Sequence, residues 1–494
     1  MANMRKHLDE IQKNSKFITA IFLLSIISVS APAAIATLQT SASITGTGKI
    51  THYPGVDVTI NPTQIIGTNN LSLGFMVDFE WKKWLDSSVM RDLTQDGGFR
   101  LIRVFDFRSN TPRLTPCTYF NEANHGSSSW DWTYVDQFVE RVFEVGAEPL
   151  FALGWARENT QNYIPSGMAI NPSTGLPYPS SWAAYCSEWV RHFKSAGYPV
   201  QYYEVTNEPW LYFGWNDQPE LSYFVDMFNT ASIAMRQQNP NVKVGFDGTN
   251  RKPVLDYCIA NNIELGFISF HKYDSGEIGY YTPSQMFSRA ETFMMETSTS
   301  YYGIQEARQI YYNAHGVTLP VIISEYNYNA NPDGTDPLLQ TMTGATWDAL
   351  VLRKAIEEGA NYGVYYSFAS SKSWELANKP TGGWGFGMIN SYDNQPWYPY
   401  YVSQMIGTNI AVGDQIVSSS ANVSGVKHLC WIHNGSPLLL VINIEDTTKT
   451  FAVQGISGVL DVTFIDDSSS TLQTTSVLEG EPIALDGYTV MIIK

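Results

Sequence analysis

Between residues 71 and 410 the chain alternates two hydrophobic rhythms. Short, nearly continuous apolar runs recur at 73–79, 99–105, 148–153, 201–205, 242–246, 266–271, 321–325 and 363–368. Such runs fit parallel strands covered on both faces. The segments between them carry apolar residues at three- to four-residue spacing. The clearest, 132–145, reads W-x-x-V-x-x-F-V-x-x-V-F-x-V. Segments 181–196 and 221–238 look alike, and 348–359 ends on a glycine where a helix stop is expected. The stretch 284–316 has room for more than one helix. Eight strand-then-helix units predict an α/β fold of the (β/α)8 barrel type, ahead of a doubly wound sheet.

From about residue 411 the texture changes. Short strand-like runs at 441–444, 451–453, 460–464 and 488–493 are separated by turn residues, with no helical period. This predicts an antiparallel β-sandwich appended to the barrel. Residues 49–66 are also β-like and are expected to pair with that C-terminal sheet. The predicted organisation is a leader (1–36), a spacer with strands joining the sandwich (37–70), the barrel (71–410) and the sandwich (411–494).

The leader reads as an export signal. Lys13 and Lys16 precede an apolar run at 17–29, and Ala31-Pro32-Ala33 and Ala34-Ile35-Ala36 offer cleavage sites. The alternative is an uncleaved membrane anchor, because 17–36 approaches the roughly 20 residues of a spanning helix. Both readings place the bulk of the protein outside the cytoplasm, secreted or attached to the cell surface. The 494 residues carry a net charge of −17. No basic cluster is long enough to follow a phosphate backbone, which argues against nucleic acid as a partner. Cys117, Cys186, Cys258 and Cys430 lack CxxC spacing, which argues against a thiolate metal site. Export permits disulfides, whose connectivity the spacing does not determine.

Two strand candidates end in carboxylates. The fourth runs into Glu204-Val205-Thr206-Asn207-Glu208-Pro209-Trp210, and the seventh is Pro320-Val321-Ile322-Ile323-Ser324-Glu325-Tyr326-Asn327. In a barrel the C-terminal strand ends build the active site, so Glu208 and Glu325 would face each other across its mouth. Paired carboxylates about 5–5.5 Å apart are what retaining hydrolysis of a sugar acetal requires. Each could equally be a structural residue, a turn former or an ion-pair partner; the combination in strand order favours catalysis.

With this strand order, Val205-Thr206-Asn207-Glu208-Pro209 and Ser324-Glu325-Tyr326 resemble clan A of the glycoside hydrolases. The match extends over the whole barrel order and resembles families 5, 39, 30 and 51 of that clan, and the sandwich is similar to those of families 39, 30 and 51. The resemblance implies that Glu208 is the acid/base and Glu325 the nucleophile. It implies that Asn207 binds the 2-hydroxyl of the attacked sugar and that Arg103, in Leu101-Ile102-Arg103-Val104, orients Glu325. It also implies that Tyr273 hydrogen-bonds the nucleophile and that His271 contacts substrate or the acid/base. Sugar-stacking aromatics are expected at the rim, with Trp155, Trp210 and Trp374 as candidates beside Trp81, Trp215 and Trp384. The clan usually ends its eighth strand on an aromatic; here that strand ends Tyr365-Tyr366-Ser367-Phe368-Ala369.

The expected function is a secreted retaining β-glycosidase acting on oligo- or polysaccharide without metal or cofactor. An endo-β-glucanase leads, with an exo-acting β-xylosidase or β-glucosidase as the alternative. A non-catalytic carbohydrate-binding surface protein is the reading from another class.

Overall fold

The computed structural model describes residues 57–77, 80–105, 114–154, 164–209, 218–275, 281–292, 297–329, 337–369, 386–391 and 393–494. The predicted leader lies outside these residues. Among the described residues, no helix is long and apolar enough to cross a membrane.

All eight expected strands form and pair in parallel. The barrel strands, first to eighth, are Ser72–Val77, Leu101–Val104, Glu148–Ala152, Tyr202–Glu204, Lys243–Gly245, Ile268–Ser275, Val321–Asn329 and Tyr362–Tyr365. The sheet order is 5-4-3-2-1-8-7-6. The fifth and sixth strands meet at a parallel bridge between Asp247 and Ser269, flanked by bonds from Gly266 N to Val244 O and from Gly248 N to Ser269 O. This seam closes the barrel.

Alternation along each strand sorts side chains in two directions. Ile102, Tyr203, Val244, Phe246, Phe270 and Ile323 belong to the layer between strands and helices. Leu101, Leu150, Tyr202, Phe267, Ile322 and Val364 fill the barrel interior. Both faces are apolar through most of each strand, which is why the runs were readable as strands. The predicted helices are present as Thr133–Glu144, Pro179–Ala196, Gln218–Gln238 and Met342–Glu357, and the 284–316 stretch holds Pro283–Thr292 and Ile304–His315. Gly359, the expected stop, adopts φ +74°. Met342–Glu357 starts six residues before the expected 348 and runs through Gly344. A Cβ there would stand 2.3 Å from Leu339 O, so glycine lets the helix pack against the preceding turn.

Eight C-terminal strands and one N-terminal strand form a nine-stranded sheet. As expected, the N-terminal strand Asp57–Thr68 joins it, pairing antiparallel with Gln415–Ala421. One pairing departs from the all-antiparallel expectation: Asp57–Thr59 runs parallel to Ala452–Gln454. The junction is tied by Asn69, whose Nδ2 donates to Ala411 O across 342 positions of sequence. In Ser436–Asn443, Leu439 and Val441 point into the sheet's own core, whereas Leu438, Leu440 and Ile442 join the barrel's hydrophobic layer. That strand packs on helix Met342–Glu357. Burying each of these Leu and Ile side chains contributes about 1.5–3 kcal/mol, so the sheet is fastened to the barrel by the same residues that build it. The four cysteines are buried, and none forms a disulfide among the described residues.

Candidate active site

Five strand ends converge at the C-terminal mouth of the barrel. From the second strand, Arg103 turns inward between the outward-facing Ile102 and Val104, and its side chain is completely buried. Its Nη1 donates to Glu325 Oε1 at 2.6 Å, and its Nη2 donates to Asn207 Oδ1 at 2.6 Å. Its Nε and Nη2 both donate to Glu204 Oε2, at 2.9 and 2.7 Å. Burial opposes the guanidinium's charge, but the Glu204 and Glu325 carboxylates outweigh it and raise its pKa.

Glu325 owes its aim to a β-bulge. Strand six pairs Phe270 with Ile323 and then His271 with Glu325, skipping Ser324. The extra residue turns both Ser324 and Glu325 toward the interior, where Ser324 Oγ meets Ser269 Oγ at 2.6 Å. The bulge returns Tyr326 to the outside, where its hydroxyl donates to Asp348 at 2.8 Å. Tyr273 Oη donates to Glu325 Oε2 at 2.6 Å. Burial raises the Glu325 pKa, while His271, Arg103 and Tyr273 pull it down and Glu208 adds to the rise.

Glu208 follows the fourth strand with φ +42°, in the left-handed region. This places its carboxyl over the sixth strand, where Oε1 lies 3.0 Å from His271 Nδ1. Glu208 is the more open of the two carboxylates, with 20% of its side chain exposed against 5% for Glu325. Oxygens of Glu208 and Glu325 and a ring nitrogen of His271 lie within 4.8 Å of one another. That separation suits retention and is too short for the roughly 6.5–9.5 Å of an inverting pair. A cation could bridge three such donors, but Arg103 and His271 already bring positive charge to them.

The structure therefore brings together Arg103, Asn207, Glu208, His271, Tyr273 and Glu325. Trp155, Trp210 and Trp374 lie outside the described residues, as do Trp215 and Trp384. Trp81 is a correction: it is 1% exposed, because a helix, Trp81–Asp86, begins directly after the first strand and folds its ring against Tyr134. At the eighth strand, Tyr366 stands beside Tyr273 and Phe386, with ring centroids 6.1 and 5.3 Å away.

Two buried acids escaped the sequence reading. Glu204, completely buried, takes Arg103 on Oε2 and the Ser269 hydroxyl on Oε1 at 2.6 Å. Burial pushes its pKa up, yet Arg103 and His271 bring it below the ordinary value. Asp247, 1% exposed, accepts the His271 backbone N–H at 2.8 Å. The signal for Glu204 was its place two residues after inward-facing Tyr202, which puts both on the same face of the strand. Glu204→Gln should cost about 3–5 kcal/mol of stability, because it leaves Arg103 buried with less than its full counter-charge. Urea unfolding measures this; a cost below about 1 kcal/mol, ordinary for an exposed pair, would show the pairing is dispensable.

Residues 61–381 match the model for glycosyl hydrolases family 39. The chain belongs to that family. A "Beta-xylosidase" of Caldicellulosiruptor saccharolyticus is 24% identical over 330 residues, 63% of this chain and 61% of the relative. The match thus spans about three fifths of that protein's length. Among solved structures, a monomeric β-xylosidase from Caulobacter crescentus superposes with a TM-score of 0.62 at 14% identity, covering 88% of this chain and 98% of the other. A glycoside hydrolase family 30 xylanase from Clostridium acetobutylicum gives 0.55 at 15% identity, covering 88% and 98%. These two likenesses bear on the fold, a barrel with an appended β-domain.

Proposed function

We propose that this family 39 member is a retaining, exo-acting β-xylosidase. The observation that carries the retaining chemistry is the spacing of Glu208 and Glu325 within 4.8 Å, with a different set of partners on each. Glu325, held by Arg103 and Tyr273, attacks the anomeric carbon. Glu208, more exposed and bonded to His271, protonates the leaving oxygen and then activates water. Asn207, fixed by Arg103, presents its amide nitrogen to the sugar's 2-hydroxyl. His271 Nε2 is buried with no hydrogen-bond partner among the described residues, which suits a bound hydroxyl. Tyr366 supplies a ring at the end of strand eight.

The β-xylosidase name of the curated relative moves the substrate away from the endo-β-glucanase expected from sequence and toward its alternative. Export through the leader remains part of this reading, supported by Lys13, Lys16 and the apolar run after them. The test compares aryl β-xyloside with aryl β-glucoside and follows the anomer first released by NMR. The xyloside should be preferred by about 10–200-fold, the usual effect of one small group in a pocket, and the β-anomer should appear first. A fast fall in β-glucan viscosity would restore the endo-glucanase, and α-anomer first would mean inversion.

A further inference from the structure

The short arc of the barrel between Glu208 and Glu325 is made of the fifth and sixth strands. The fifth runs into Phe246-Asp247, and alternation sends Phe246 outward and Asp247 inward. One carboxylate oxygen of Asp247 accepts the His271 backbone N–H at 2.8 Å, stitching the seam two residues beyond the Ser269 bridge. The other lies 3.7 Å from His271 Nδ1. The same Nδ1 is 3.0 Å from Glu208 and 3.4 Å from Glu325. The ring is thus faced by Glu208 from strand four, Asp247 from strand five, Glu325 from strand seven and the Arg103 cation from strand two, and the buried Glu204 carboxylate of strand four also feels its charge. Tyr273 lies on its own strand.

We propose that Asp247 is a positioning residue for the acid/base, anchoring His271 and keeping its ring a cation whose Nδ1–H donates to Glu208 throughout turnover. This rests on the reading of Glu208 as acid/base. An imidazolium has no lone pair at Nδ1, so it cannot draw off the proton that Glu208 must deliver to the leaving oxygen. A neutral ring could accept that proton and compete with the sugar for it. Burial alone would strip the ring of its charge, but Asp247, Glu325 and the bond to Glu208 reverse this and lift His271 to about 9. Asp247 is itself raised, to about 6, by burial and the neighbouring acids against the pull of His271. Between those values the two are an ion pair. Below that window Asp247 gains a proton, and above it His271 loses one.

Asp247→Asn keeps the acceptor for the His271 N–H and removes the charge. The imidazole signal of ring-labelled protein, assigned by its loss in His271→Gln, is followed against pH alongside kcat/KM on aryl β-xylosides. The wild-type ring should stay protonated to about 9. In Asp247→Asn its proton affinity should fall at least about tenfold, which is about one pH unit. The alkaline limb of kcat/KM should move the same way for a poor leaving group and little for dinitrophenyl xyloside, which needs no acid. An unchanged ring titration in the variant overturns the proposal. So does a wild-type ring already neutral above roughly 6.5, the ordinary value, and this second measurement needs no variant to fold. A shifted ring with no turnover of any aryl glycoside, wild type included, would keep Asp247 as the anchor of His271 and overturn its role in turnover together with the glycosidase reading.

Discussion

Glu325→Gln is expected to abolish turnover of aryl β-xylosides, lowering kcat on the order of a millionfold, the scale of losing a covalent nucleophile. Glutamine keeps the shape: its one amide oxygen can accept from Arg103, and its NH2 can donate to the Tyr273 hydroxyl. Glu204 remains to balance Arg103, so the fold should survive while no carboxylate is left to attack the anomeric carbon. The wild-type pH profile should carry the same signature. Burial raises the Glu325 pKa against the pull of His271 and Arg103. The nucleophile therefore gains a proton at a pH above the roughly 4.3 of free glutamate, and the rate should fall as pH drops through that point. Circular dichroism, single-turnover kinetics and a pH series check these statements together. A folded variant within an order of magnitude of wild type would remove Glu325 from the chemistry.

Glu208→Ala should divide substrates by leaving group. Alkyl xylosides and xylobiose need a proton at the departing oxygen and should slow by about 10²–10⁴-fold, the usual worth of general acid catalysis. Dinitrophenyl xyloside leaves unaided, so its first step should be spared and the covalent intermediate should accumulate. Azide needs no base to attack that intermediate. It should restore turnover and give the β-xylosyl azide, detectable by mass spectrometry. Uniform loss across leaving groups with no azide product would take the acid/base role from Glu208.

The two candidate carboxylates were readable because they interrupt apolar runs, and strand ends are where a barrel puts its chemistry. Arg103 was readable for the same reason, as a charge amid Leu101, Ile102 and Val104. Glu204 and Asp247 were not. Each resembles any polar residue closing a strand, and its meaning depends on which neighbour the closed barrel sets opposite. The Ser324 bulge was invisible for a related reason: strict alternation would have sent Ser324 and Glu325 to opposite faces. Trp81 departs from the rim expected of a residue following a strand, because a helix starts there and takes the ring into the core. The C-terminal sheet was legible as strands and turns. Its parallel pair was not, since pairing direction depends on how distant segments meet.

The way the two chain ends meet also sets a timetable. The strand Asp57–Thr68 leaves the ribosome early, yet Ala411, bonded to neighbouring Asn69, follows 342 positions later. At about 5–20 residues per second, that delay is roughly 17–70 s. Through that interval Val58 and Ile60, whose places are in the core of the C-terminal sheet, have nothing of their own to pack against. The barrel can assemble meanwhile, but the nascent chain must carry an unpaired, sticky β-segment to the end of synthesis, open to pairing with other chains.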